Sequence, residues 1–212
     1  MHPIGRGELL QVQLAFLAAI GMQLTLNDDL AVGPHVAIAI FEVLLLIAVS
    51  ITAPTRHNTS THLHKFLALL LIGIVSLINT ISLILVIGAL LNGDNVAGAE
   101  LLLSALAIYA TNVIVFSIWY WEIDSPGLTG LRRKTNEMDF IFNQQRMNTP
   151  GVKTWKPTYF DYLYLSFTNA TNFAPAETKP LSHTAKGLMM VQVIISLFTL
   201  ALVAARAIST LT

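Results

Sequence analysis

Five apolar runs, each near the length that crosses a bilayer, constrain this chain more than any other feature. A spanning helix needs about 20 mostly apolar residues, because the hydrocarbon core is about 30 Å thick. Residues 9–26, 36–53, 66–91, 101–121 and 185–208 meet or approach that length. The first run is softened by Gln11, Gln13 and Gln23, and the third is long enough to demand tilt. Turn-forming clusters separate the runs: Asn27-Asp28-Asp29, Gly33-Pro34, Ala53-Pro54, Asn92-Gly93-Asp94 and Ser125-Pro126-Gly127. Trp119, Tyr120 and Trp121 close the fourth run as an interfacial aromatic belt would. Strand-period alternation is absent, which argues against a barrel, and no internal repeat points to an inverted-repeat transporter. Composition agrees. The 212 residues are 54% hydrophobic and 11% charged, with a mean hydropathy of +0.65; soluble domains run near 25% charged. The expected fold is an all-α integral membrane protein.

Residues 122–184 divide in two. To Pro157 the chain is polar and turn-rich, with Arg132-Arg133-Lys134 as its basic point, and reads as a surface loop with a short interfacial piece at 140–142. From Thr158 the stretch TYFDYLYLSFTNA is aromatic and apolar but too short to span, which is the pattern of a buried or re-entrant helix. Three regions follow: a four-helix transmembrane part at 1–121, a polar loop at 122–157, and a last part at 158–212. The last part holds a short helix at 158–170, a loop at 171–180 and a spanning helix at 185–208.

Charge bias sets an orientation. Of the twelve Lys and Arg residues, eleven fall before the first run, between the second and third, or around the segment joining the fourth to the fifth; the exception is Arg206. The other two loops carry Asp28, Asp29, Asp94 and Glu100 and no basic residue. The positive-inside rule then puts the N-terminus in the cytoplasm of a multi-pass plasma (inner) membrane protein, with the short helix entering from the cytoplasmic side.

Several classes are excluded. Twelve Lys+Arg balance twelve Asp+Glu, so no nucleic-acid-binding basic face emerges. With no cysteine, disulfides, Cys-ligated metals and thiol catalysis are ruled out. No nucleophile elbow, phosphate loop or Rossmann glycine pattern occurs, so neither an enzyme nor a cofactor is expected. His57, His62 and His64 crowd one loop without acidic companions and read as solvated rather than metal-binding.

The segment DYLYLSFTNATNFAPAETKPLSHTAKGLMMVQVIISLFTLALVAARAI resembles the pore region of the potassium-channel superfamily, typically F-T-T-L-T-T-V-G-Y-G-D-I-T-P followed by a helix ending in A-R-L. Phe167 to Pro180 align without gaps. Thr168 and Thr171 fall on family threonines, Glu177 on the acidic residue after the filter, and Pro180 on the proline. Over its whole length the sequence is similar to a family of uncharacterised, channel-like bacterial membrane proteins, through NVIVF-x-x-WYWE-x-D, the acidic-Phe segment at 139–142 and TNAT-F-x-P. The resemblance implies a re-entrant pore helix, a filter-like loop, a pore-lining last helix and a homotetramer in membrane lipid. In that superfamily the loop enters from outside, opposite to the charge census, and the charge census carries more weight here.

The filter itself departs from the family. Its glycines and aromatic residue are replaced in Asn172, Phe173, Ala174, Pro175 and Ala176. Alanines lack the backbone freedom of glycine, and Pro175 fixes φ near −65° and removes an N–H. A ladder of carbonyls that replaces a potassium ion's hydration shell is therefore not expected. Two outcomes stay open: a wider mouth lined by Thr171, Asn172 and a ring of Glu177 that passes monovalent or divalent cations, or an apolar plug of Phe173 and Pro175.

Two features of the spanning runs complete the candidates. Gln192, Ser196, Thr199, Val203 and Arg206 are spaced 4, 3, 4, 3 and share one helical face; the stripe fits a pore lining or interhelical hydrogen bonding. Glu42 lies eight residues past Pro34, about 12 Å into its helix. A carboxyl at that depth is either a functional group or a packing element, with Asn79, Thr80, Thr111 and Asn112 as candidate partners. The functional expectation is a tetrameric cation channel of low selectivity; the alternative is a non-conducting relative acting as a structural or signalling oligomer.

Overall fold

The computed structural model describes residues 6–26, 30–52, 62–92, 97–124, 138–146, 155–172 and 178–209. These form helices α1 (Arg6–Gln23), α2 (His35–Thr52), α3 (His62–Asn92), α4 (Gly98–Asp124), α5 (Asn143–Arg146), α6 (Tyr159–Asn172) and α7 (His183–Ser209), and strands β1 (Phe140–Phe142) and β2 (Thr178–Pro180). Among the described residues, three helical segments are long and apolar enough to cross a membrane: Phe66–Asn92, Gly98–Asp124 and His183–Arg206. The architecture is that of an all-α multi-pass membrane protein. The apolar part of α2, His35–Ile51, is shorter, and α1 carries Arg6, Glu8 and three glutamines within its 18 residues.

Local chemistry fixes the helix starts. Asp161 braces the start of α6: the Thr158 amide and hydroxyl donate to its carboxylate at 2.7 and 2.8 Å. Ser182 caps α7, its Oγ accepting from the Ala185 amide at 3.0 Å. Gly33, at φ 55°, turns the chain into α2.

α4 is the hub, packed against α1, α3, α6 and α7. Within its apolar window 61% of residues are buried, against 39% in α3 and 28% in α7, so α7 leaves most of its surface outward. Polar links cross the other contacts: Gln13 donates to Ser50 between α1 and α2 at 2.8 Å, and the Trp119 indole donates to Ser76 between α4 and α3 at 3.0 Å.

The segment expected to be a surface loop is in part core. Phe140–Phe142 is a strand, paired antiparallel with β2 in the register Phe140 to Pro180 and Phe142 to Thr178. Asp139 and Phe140 are fully buried and Phe142 nearly so. Aromatic packing accounts for this. Phe140 meets Tyr120 edge-on at 5.2 Å, and Phe142 meets Tyr162 at 5.4 Å and Trp155 at 5.6 Å. The other end of the expected loop, residues 125–137, lies outside the described residues. The loop expected at 171–180 is likewise bounded by structure: Thr171 and Asn172 end α6, and Thr178–Pro180 form β2.

Candidate functional site

α6 lies antiparallel along α4. From Tyr162 onward its residues meet α4 in descending order: Tyr162 donates to Asp124 at 2.7 Å, Ser166 donates to the Val113 carbonyl at 2.6 Å, and Tyr109 donates to Thr171 at 3.4 Å. Tyr159, at the start of α6, reaches to Ser117 and shares a hydrogen bond with it at 2.8 Å. The descent covers about 22 Å of α4 and stops about 16 Å short of Gly98. α7 also begins beside Asp124, through Asp139 and Ser182, but runs the full length, so that Arg206 packs against Gly98. Between them, β2 stands beside β1 at the Asp124 end. The chain therefore goes down one side of α4 to about its middle, resumes at the level where it started, and then crosses completely.

The interior where α4, α6 and α7 meet is polar and closed. Gln192 is its centre, with no exposed surface. Its Oε1 accepts from Tyr120 Oη at 2.5 Å and from Asn169 Nδ2 at 2.8 Å. Its Nε2 donates to Ser166 Oγ at 2.7 Å and to the Ser166 carbonyl at 3.0 Å. Every hydrogen-bonding position of that amide is occupied, as burial demands. Asn169 also donates to the Met189 carbonyl at 3.2 Å, and Asn112 donates to Ser196 Oγ at 2.9 Å and to the Gln192 carbonyl at 3.3 Å.

At the Asp124 end a second set of bonds holds both start points. Asp124 Oδ1 accepts from the amides of Asp139 and Phe140 at 2.7 and 3.0 Å, while Oδ2 accepts from Tyr162. The Asp139 carbonyl accepts from the Leu181 amide at 2.8 Å, and its carboxylate accepts from Ser182 Oγ. One carboxylate at the end of α4 thus ties β1 to α6, and its neighbour ties β1 to α7.

The expected site residues distribute unevenly. Thr168 and Thr171 donate to carbonyls of their own helix, Thr168 to Tyr164 and Leu165 at 3.0 Å each and Thr171 to Phe167 at 2.5 Å. Phe173, Ala174, Pro175, Ala176 and Glu177, with the side chain of Asn172, lie outside the described residues. Of the stripe on α7, Gln192, Ser196 and Thr199 have no exposed surface and face the chain's own interior. Interhelical hydrogen bonding, the other sequence reading, describes Gln192 and Ser196; Thr199 donates to Ile195 of its own helix at 2.5 Å. Val203 and Arg206 are half-buried. The outward face of α7 is apolar, carrying Met190, Val191, Ile194, Leu197 and Phe198.

Glu42 is fully buried, and none of Asn79, Thr80, Thr111 and Asn112 hydrogen-bonds its carboxyl oxygens. Thr80 donates to Ser76 at 2.9 Å and Asn112 donates to α7; the polar side chain of α1 that reaches Glu42 is Gln23. Among the described residues no cluster of three His, Cys, Asp or Glu side chains could hold a metal. The sequence reading gave no site role to Ser166, Asn169, Asp124 and Asp139, and it placed Tyr120 in an interfacial belt, whereas its ring is fully buried. Their available signal was polarity at helical spacing: Ser166, Asn169 and Asn112 are polar positions on otherwise apolar segments.

Comparison of the chain with protein-family models, curated proteins and solved structures returns no match.

Proposed function

We propose that this protein is a subunit of a pore-loop membrane oligomer, a homotetramer that passes cations with low selectivity. One observation carries the reading: α6 runs halfway along α4 and stops, and the chain resumes at β2 beside the level where α6 began. In a bilayer that path is a re-entrant loop. Non-helical backbone at such depth is tolerated only where protein buries it or water reaches it, and one copy cannot enclose a water-filled cavity. Sister subunits meeting at the loop supply the enclosure. The partial negative charge at the C-terminus of α6 favours a cation there.

The topology of five spans fits the same reading. Glu8, in the first turn of α1, lies within electrostatic reach of Asp161, in the first turn of α6. The N-terminus and the start of the pore loop therefore share one end of the bundle, as four crossings by α1 to α4 require. The charge bias makes that end cytoplasmic.

A second reading has its own support. The polar stripe of α7 is consumed inside the chain, and its outward face is apolar. An axis lined by Ile194, Leu197 and Phe198 would gate by dewetting or would not conduct, leaving a structural or signalling oligomer. Flux measurements in liposomes separate the two. The channel reading expects cation flux from the purified protein, altered by Glu177→Gln and by Asn172→Ala. No flux from an intact tetramer at any pH, voltage or ionic condition favours the non-conducting relative. A monomer in bilayers removes both.

A further inference from the structure

The polar cluster described above is fully satisfied at its centre; the polar pair between α1 and α2 is not. Glu42 has no exposed surface, and neither of its carboxyl oxygens has a hydrogen-bond partner. Gln23, the polar side chain facing it, is 6% exposed, and its Nε2 also lacks a partner. The surroundings are apolar: Phe16, Ala19 and Ile20 precede Gln23 on α1, and Ala39, Leu45 and Leu46 flank Glu42 on α2, all buried. An ionised carboxylate enclosed without a donor or counter-ion is one of the most expensive arrangements a protein interior can hold. Removing its charge removes most of that penalty.

We propose that Glu42 and Gln23 form a buried proton-binding site between α1 and α2. The carboxylate takes up one proton to become a neutral acid. Its O–H then becomes a donor, and its carbonyl oxygen is the acceptor for the unused Gln23 N–H. Releasing the proton leaves a charge that only water or a cation entering between the two helices can stabilise. Occupancy of the site is thereby linked to how closely α1 and α2 pack. Among the described residues, the titratable and charged groups of the neighbouring helices stand elsewhere. On α1, Arg6 and Glu8 lie in the first turn, about 22 Å along the helix from Gln23. On α3, His62, His64 and Lys65 belong to its opening turn. On α2 itself, His35 is seven residues, about 10 Å, away on the same face.

Infrared spectroscopy of the full chain in lipid bilayers tests this, comparing about pH 5 with about pH 9 on either side of neutrality. The expected spectrum contains the C=O stretch of a protonated, weakly hydrogen-bonded carboxyl that is lost in Glu42→Gln. Gln23→Met, which leaves the carboxyl in place, keeps the band and moves it to higher frequency. Glu42→Gln, a mimic of the protonated form, melts no lower than the wild type at either pH. A spectrum without such a band in the wild type, or one unchanged by both variants, overturns the proposal. Loss of the band on adding sodium at constant pH also overturns it, in favour of a metal-cation site.

Discussion

Asn169 of α6 donates to Gln192 of α7 at 2.8 Å, and Tyr120 of α4 donates to the same oxygen at 2.5 Å. Three helices thus converge on one buried amide. The half-length helix is fastened to the full-length one about a third of the way along α7.

Removing the shared amide should loosen the whole region. Gln192→Leu removes four bonds at once. It leaves the Tyr120 hydroxyl without its buried acceptor, an unsatisfied group that costs about 1–3 kcal/mol, while Asn169 keeps the Met189 carbonyl and Ser166 keeps the Val113 carbonyl. Single interhelical bonds in membranes are worth less, averaging about 0.6 kcal/mol, so Asn169→Ala should be the milder change. Thermal unfolding in detergent should rank the variants Gln192→Leu, then Asn169→Ala, then wild type in rising stability. Equal melting of all three would contradict the shared-amide picture.

Asp124 holds two amides and one phenol, so its loss should exceed that of any one partner. Hydrogen bonds to a charged acceptor are worth about 1.5–3 kcal/mol. Tyr162→Phe removes one of them and Asp124→Ala removes three. Hydrogen exchange at the Phe140 amide should rise sharply in Asp124→Ala and little in Tyr162→Phe.

The two faces of α7 should respond differently to cross-linking, and a chain without cysteine is suited to the measurement. Leu197→Cys and Ile194→Cys sit on the outward face and should form disulfide-linked pairs in the assembled protein under mild oxidation. Ser196→Cys and Thr199→Cys point into the subunit and should not. Equal cross-linking of Ser196→Cys would mean that the stripe faces the axis after all.

Glu8 supplies a pH dependence. Burial first, and then the carboxylate of Asp161, push its carboxyl above the ordinary carboxylate range. A group whose folded-state value is raised binds its proton more tightly when folded. Its contribution is complete below the unfolded value and is lost as pH rises through the folded one. Glu8→Gln should therefore melt higher than wild type at neutral pH and equally at strongly acid pH. Asp161→Asn should show part of the same gain, offset by a weaker cap on α6. A Glu8→Gln advantage that grew with acid would reverse the sign and reject this account.

Run length and punctuation carried most of the helical layout in the sequence. The boundaries of α2, α4 and α7 fall within a few residues of the apolar runs, because a bilayer-length hydrophobic stretch has few other ways to satisfy its backbone. The short helix at 158–170 was legible for the same reason: TYFDYLYLSFTNA is too apolar for water and too short to cross. The strand at Phe140–Phe142 was not, because three residues have no period to read and their partner lies 38 positions away, Ile141 against Lys179.

Spacing along the chain puts Gln192, Ser196 and Thr199 on one face of α7, since helical periodicity fixes angular position within a segment. It could not say what that face meets, because rotation about the helix axis is set by packing against neighbours. Only the tertiary structure turned the stripe inward. There Asn112 of α4 and Ser166 and Asn169 of α6 supply donors and acceptors that lipid cannot, and an unmatched polar side chain in hydrocarbon has no cheaper resting place. The same packing turned Met190, Ile194, Leu197 and Phe198 outward, and left Glu42 beside Gln23 with no hydrogen bond to Thr111 or Asn112 of α4.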